Sequence, residues 1–306
     1  MVRKAFCVNE EKGRGFFTSL SAPIMKVRNN LNFQENIIND GGGTIFITGA
    51  VISNPTFVAN MTEAFQQPAF QFGKISPFAM TKTGVADMEF KIGYEWIQQE
   101  PFHLESYLGF LIPTGNKPNA EYLFQPIVGQ GHHWGIIYGS AVGIHIWENG
   151  DASKTLRVEY ALHSQYLFKN TQCRSLDLAC KPWSRYIGLY SNVDQAIVAS
   201  TLASGNDQVL FKSNGINLLT TDVKVRPGFS FNMTMAGIYD TGNWSLEAGY
   251  NLYYRQAECL KLACPWQEGP AIKYVNGAGR TNPVRDMSGN RLLELAPTIS
   301  SSKTAL

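Results

Sequence analysis

Along Ala86–Ile97 apolar and polar positions alternate without a break. Met88, Phe90, Ile92, Tyr94 and Trp96 fall on one side, and Asp87, Glu89, Lys91, Gly93 and Glu95 on the other. Successive Cβ atoms leave opposite faces of an extended chain, so period 2 predicts a strand with one greasy and one charged face. Phe102–Ile112 repeats the pattern, with Phe102, Leu104, Leu108, Phe110 and Ile112 opposed to His103, Glu105, Tyr107 and Gly109. The short connection Gln98–Pro101 makes these two strands a hairpin.

Four more segments follow the same rule. In Trp134–Trp147 the residues Trp134, Ile136, Tyr138, Val142, Ile144 and Ile146 face a side made of Gly135, Gly139, Ala141 and Gly143. Leu156–Lys169 sets Leu156, Val158, Tyr160, Leu162, Tyr166 and Phe168 against Arg157, Glu159, His163, Gln165 and Lys169. Gly228–Tyr239 and Trp244–Arg255 form a second hairpin around Asp240–Asn243, the latter with Glu247 and Arg255 on its polar side. Weaker strand patterns lie at Thr44–Ser53, Pro68–Ile75, Ala196–Thr201 and Val209–Lys212, and Trp183–Ser191 reads as the return strand after Leu156–Lys169.

Connections at 98–101, 148–153 and 240–243 are short, while those at 113–133, 170–182 and 256–281 are long. Short turns on one rim and long loops on the other are the habit of a membrane-spanning barrel. The expected fold is therefore all-β: an antiparallel up-and-down transmembrane β-barrel of about 10 to 14 strands with long outer loops. Residues 1–43 read as an irregular N-terminal segment, a plug or periplasmic piece. Residues 44–256 read as the barrel, and 257–306 as a loop-rich C-terminal segment, an incomplete barrel end.

On this reading Glu89, Lys91, Glu95, His103, Glu105, Arg157, Glu159, His163, Lys169, Glu247 and Arg255 line the lumen. Mixed signs argue against strong cation or anion selectivity, and salt bridges that hold a narrow barrel together are the alternative use of the same residues. Tyr94, Trp96, Trp134, Tyr166, Trp244 and Tyr254 are candidates for the aromatic girdles at the membrane interfaces. The expected partners are an outer-membrane bilayer and a small solute.

The composition of this 306-residue chain bounds the alternatives. Lys and Arg number 26 against 24 Asp and Glu, which gives a nucleic-acid partner no support. Charged residues at 16% and aromatics at 12% suit half-wetted strands, in a barrel or in a secreted, ligand-binding sandwich alike. No stretch approaches the roughly 18 apolar residues of a spanning helix. Export to an outer membrane requires a signal peptide, yet Asn9, Glu10, Glu11 and Lys12 stand where its apolar region belongs. The expectation is that the chain as given lacks its true start.

Cys173/Cys180 and Cys259/Cys264 form two local pairs in loop-like stretches. They are read as disulfides of an oxidising compartment, ahead of free thiols and zinc. Glu89 and Glu105 on neighbouring strands could form an acid/base pair, but no motif supplies a nucleophile or third group. His132 and His133 project apart on an extended chain, so a loop role is expected and no metal. No phosphate loop, nucleotide fingerprint or hydrolase elbow occurs, so neither enzymatic activity nor a cofactor is expected.

One resemblance adds to this. Thr83-Gly-Val-Ala-Asp-Met-Glu-Phe-Lys91 is similar to the G-x-G/A-D-x-x-x-K strand opening of outer-membrane barrels in the phenol-degradation and FadL-like transporter group. Leu111-Ile-Pro-Thr-Gly115 resembles the Leu-x-Pro-Thr-Gly that ends their next strand. The resemblance covers about residues 67–140 and implies an outer-membrane barrel that passes small hydrophobic or aromatic compounds. An aromatic-terminated last strand, common in bacterial barrels, is not seen in Ser300–Leu306.

Overall fold

The structure is a computed structural model that describes residues 1–9, 13–36, 60–99, 101–151, 153–178, 184–186, 188–192, 195, 211–266 and 269–272. Its centre is one antiparallel sheet of eight strands. In sheet order these are β1 (Val2–Asn9), β2 (Arg14–Ser21), β5 (Met88–Gln99), β6 (Phe102–Ile112), β7 (Gly135–Glu148), β8 (Thr155–Leu167), β13 (Gly228–Asp240) and β14 (Ser245–Arg255). Neighbours in the sheet are successive along the chain apart from two insertions. The all-β, antiparallel expectation holds.

The six long strands contain 11 to 14 residues each. A tilted strand needs about 9–11 to cross a hydrocarbon core. Their register follows the alternation in the sequence, because a slip by one residue would carry every apolar side chain to the charged face. Two bulges, at Glu95/Ile97 and at His145/Trp147, bend the strands near the short-turn rim. The three short connections sit together on that rim, with Gln99 opposite Phe102, Glu148 opposite Thr155 and Asp240 opposite Ser245.

Three expectations are corrected. Residues 1–43 are not simply irregular: β1 and β2 are the first strands of the sheet, and Lys4 on the apolar face of β1 is what hid its alternation. The return strand beside β8 is β13, not Trp183–Ser191, of which Gly188–Tyr190 is the short strand β10. Pro68–Ile75 is no strand but a chain of turns after helix α1 (Met61–Ala64), with one bridge from Lys74 to Tyr122. Pro68 lacks a donor, and Gly73 is left-handed at φ 65°. Thr44–Ser53 and Ala196–Thr201 lie outside the described residues.

At the long-loop rim the strands run on past a line of breaks. β3 (Ile24–Asn29) and β4 (Met80–Val85) continue β2 and β5 as a two-stranded ribbon, joined across the break by Ala86 N–H on Pro23 O at 2.8 Å. β9 (Asn170–Ser175), β12 (Thr220–Arg226) and β15 (Cys259–Leu262) continue β8, β13 and β14 as a three-stranded sheet beyond Pro227 and left-handed Gly228. Helix α2 (Gly215–Leu219) and the small sheet of β10, β11 (Phe211–Asn214) and β16 (Ala271–Ile272) complete this cap.

Burial separates the two regions. Leu178, Leu189, Leu219, Val223 and Val225 in the cap are fully enclosed, an ordinary hydrophobic core. Along β2, β5 and β6 the apolar face is the more exposed one: Leu108 is 57% and Phe110 53% accessible, whereas the Glu105 side chain on the other face is 15%. Among the described residues nothing packs over that apolar face. They also form no closed barrel of 10 to 14 strands, since β1 pairs only with β2 and β14 only with β13.

Candidate functional site

The charged face of the sheet is organised by glycine. Across the strands one row of side chains reads Phe17, Gly93, Tyr107, Gly139, His163, Asn232. A Cβ on Gly93 would lie 2.2 Å from the Phe17 ring, and one on Gly139 would lie 2.2 Å from the Tyr107 hydroxyl. Each glycine thus lets the neighbouring aromatic lie flat across its strand, which fills the face without raising a wall. Lys91 stands over the Tyr107 ring at 4.9 Å.

Ten of the eleven expected lumen residues share this face: Glu89, Lys91, Glu95, His103, Glu105, Arg157, Glu159, His163, Glu247 and Arg255. Lys169 does not; it sits exposed in the break between β8 and β9. Several of the ten are paired with one another or with neighbours. Lys91 meets Glu89 at 2.7 Å, Arg157 meets Glu159 at 3.4 Å and Asp240 at 3.8 Å, and Arg255 meets Glu258 at 2.9 Å.

The tightest group contains a residue that sequence reasoning missed. Glu95 and Glu105 stand directly opposite each other on β5 and β6, a like-charge pair that destabilises a sheet unless a cation intervenes. Arg3 on β1 supplies it. Its guanidinium crosses the Phe17 ring at 3.8 Å, bonds Glu95 and reaches Glu105 at 2.9 Å. The expected partner of Glu105 was Glu89, but Glu89 faces Leu111, six residues further along β6. At about 3.3 Å per residue, roughly 20 Å separates the two carboxylates, too far for shared acid/base work.

Towards the short-turn rim the face is floored by Ala141, Gly143, Ala161 and Ala236, and a cavity of about 680 Å³ opens there beside His103 and Arg157. Comparison with family models and with curated proteins finds no match to this chain. The fold and the arrangement of side chains therefore carry the functional reading.

On the apolar face the expected girdle residues divide. Trp134, Tyr166 and Tyr254 lie towards the long-loop rim and Trp244 at the short-turn rim, where it packs on Tyr239. Trp96, in the bulge of β5, lies near the short-turn rim with Tyr94 beside it, edge to face at 4.8 Å. The Trp96 indole satisfies its donor on Ser106 Oγ at 2.8 Å, as a polar atom among apolar neighbours must.

The stretches Thr83–Lys91 and Leu111–Gly115 meet at the long-loop rim. Asp87 is buried, and its carboxylate accepts the backbone N–H of Gly115 at 3.1 Å and that of Gln130 at 2.5 Å. Thr114 donates its hydroxyl to Ala86 O at 2.6 Å. Asp87 thereby ties both ends of the 113–133 loop to the start of β5.

The expectation of a Cys259/Cys264 disulfide is corrected, while that of Cys173/Cys180 falls partly outside the described residues. Cys173, Cys259 and Cys264 are free thiols; β15 is extended from Cys259 to Leu262 and carries the first cysteine away from the second. Cys180 lies outside the described residues. Burial pushes the Cys173 thiol above its usual range. His132 and His133 take loop roles, the first with Nδ1 3.2 Å from Gly115 O and the second buried on Phe168 O. Among the described residues no cluster of three or more metal-ligating side chains occurs.

Proposed function

We propose that this chain is an outer-membrane β-barrel that acts as a passive channel or uptake porin for small solutes, of the FadL-like kind its motifs resemble. The observation that carries this is the inversion of the sheet: a continuous apolar face lies exposed, while the charged side chains of β5 and β6 opposite it, Glu89, Lys91, Glu95 and Glu105, are mostly sheltered and paired. In water such a face costs about 25 cal/mol per Å²; in a bilayer it is the required surface. A soluble sandwich would need a second sheet over that face.

The closed-lumen alternative has its own support. Arg3 with Glu95 and Glu105, and Tyr107 with His163, fill the inner face with side chains bonded to one another. A barrel kept shut by these contacts would serve a structural or surface role.

Refolding with and without detergent tests the first step. Monodisperse β structure only in detergent or lipid is the expected result; a monodisperse chain in plain buffer would sink the membrane reading. Single-channel conductance in planar bilayers then separates the two barrels. Steady conductance supports the open channel, and a silent, correctly inserted protein supports the closed one.

A further inference from the structure

Where the end of β14 meets the cap, a cavity of about 550 Å³ is lined by Arg174, Arg185, Arg255 and Glu258 together with Tyr122 and Phe124. Arg185 is already matched, its guanidinium held by Asp177 at 2.7 and 3.0 Å. The other two arginines converge on one carboxylate. Glu258 offers Oε1 to Arg255 at 2.9 Å and Oε2 to Arg174 at 3.7 Å, so a positive charge is left over.

Arg174 is held in place by a buried relay. His133 Nδ1 donates to Phe168 O at 2.8 Å, which leaves Nε2 to accept from Gln172 Nε2 at 2.9 Å. The second amide proton of Gln172 goes to Gly131 O at 2.7 Å, and its Oε1 accepts Arg174 Nε–H at 3.0 Å. Every side-chain polar atom of His133 and Gln172 is used, and Arg174 so held lines the cavity. The loop that walls it holds Ala120, Phe124 and His132 at φ between 57° and 68°. Non-glycine residues in that region cluster at ligand clamps.

We propose that this cavity is a binding site for a phosphate monoester, with Arg174 and Arg255 as its anion fork and Glu258 as a resident, displaceable counter-ion. A free monocarboxylate cannot compete with a carboxylate tethered in the same place, whose effective concentration is in the millimolar range or above. A phosphate monoester carries about −1.5 to −2 charges at neutral pH and presents three acceptor oxygens to two guanidinium forks. The walls of Tyr122 and Phe124 accommodate its organic part. This assignment stands whether or not the sheet spans a bilayer.

Calorimetric titration of the full chain, in the medium that keeps it monodisperse, tests it with phenyl phosphate as probe and benzoate as the single-charge control. Phenyl phosphate binds the wild type, Arg174→Gln loses about tenfold in affinity, and Glu258→Gln gains affinity and admits benzoate. The gain is decisive, since a merely structural Glu258 could only lose. Weaker binding by Glu258→Gln, equal binding by Arg174→Gln, or no binding by either wild type or Glu258→Gln overturns the proposal. Competition by phosphatidic acid vesicles assigns the group to a lipid headgroup; phenyl phosphate binding unaffected by them assigns it to a soluble ester.

Discussion

The Tyr107 hydroxyl lies 2.9 Å from His163 Nδ1, two strands away, and reaches it only because Gly139 stands between them. The contact is thus a test of glycine as a packing device. Gly139→Ala places a Cβ within 2.2 Å of the hydroxyl, and the ring must leave. Overpacking of this kind costs about 1–3 kcal/mol, and the displaced ring stands up into the inner space. The expected outcome is a lower urea midpoint in lipid or detergent, only partly restored when Tyr107→Ala is added, because the same Cβ also lies 2.5 Å from the Leu162 backbone oxygen. Additive losses in the double variant would show that Gly139 and Tyr107 are not coupled.

Asp87 makes a second test, this time of the clasp at the long-loop rim. Asp87→Ala leaves the N–H groups of Gly115 and Gln130 without their acceptor, at about 1–3 kcal/mol for each buried donor. The sheet should survive, because its strand ladders do not depend on that side chain. The loop should not hold its place. Chymotrypsin is then expected to cut faster after Phe124, already 62% exposed, with no change in the far-ultraviolet β signal. Unaltered cleavage would mean that the loop is held by its other ties, such as Asn29 Nδ2 on Phe124 O at 2.9 Å.

How far these contacts were legible beforehand depends on whether the information was local. β5, β6, β7, β8, β13 and β14 announced themselves because period-2 alternation is written within a dozen residues, and it correctly placed His103, Glu105 and His163 on one face. β1 was hidden by a single residue, Lys4. The partner of β8 was misjudged because pairing is a long-range choice, and the insertion before β13 is a cap with its own core. Asp87 was visible as part of a motif, yet its bond to Gln130, 43 residues on, was not. Arg255 was placed by the alternation of β14, but Arg174 and Glu258 follow no period at all; only the fold brings them to it.

Arg3 carries the third prediction. Substitution by Gln leaves Glu95 and Glu105 face to face with no cation between them, while the β1–β2 ladder remains. Buried ion pairs cost about 3–5 kcal/mol to break, and Arg3 is one-third exposed, so a loss on the order of 1–3 kcal/mol is expected. The loss should shrink when Glu105→Gln is added. A stability loss that is the same in both backgrounds would remove the clamp from consideration.

The last prediction concerns pH and follows from the relay behind Arg174. Burial holds His133 below the usual histidine value of 6.5, and its neutral Nε2 is the acceptor that fixes Gln172. The hydrogen bond to Phe168 O and the nearby carboxylates of Glu258 and Asp87 oppose the shift, and Arg174 reinforces it, but burial dominates. The unfolded chain therefore takes up the proton first as pH falls. The contribution of His133 is complete above pH 6.5 and is lost progressively from there down to its depressed folded value. The slope cannot exceed about 1.4 kcal/mol per pH unit for one proton. Urea midpoints measured from pH 7.5 downwards should fall more steeply for the wild type than for His133→Gln, which keeps a polar group but does not titrate. Parallel curves would mean that the other histidines and the carboxylates account for the acid sensitivity, and that His133 is as readily protonated in the folded chain as in the unfolded one.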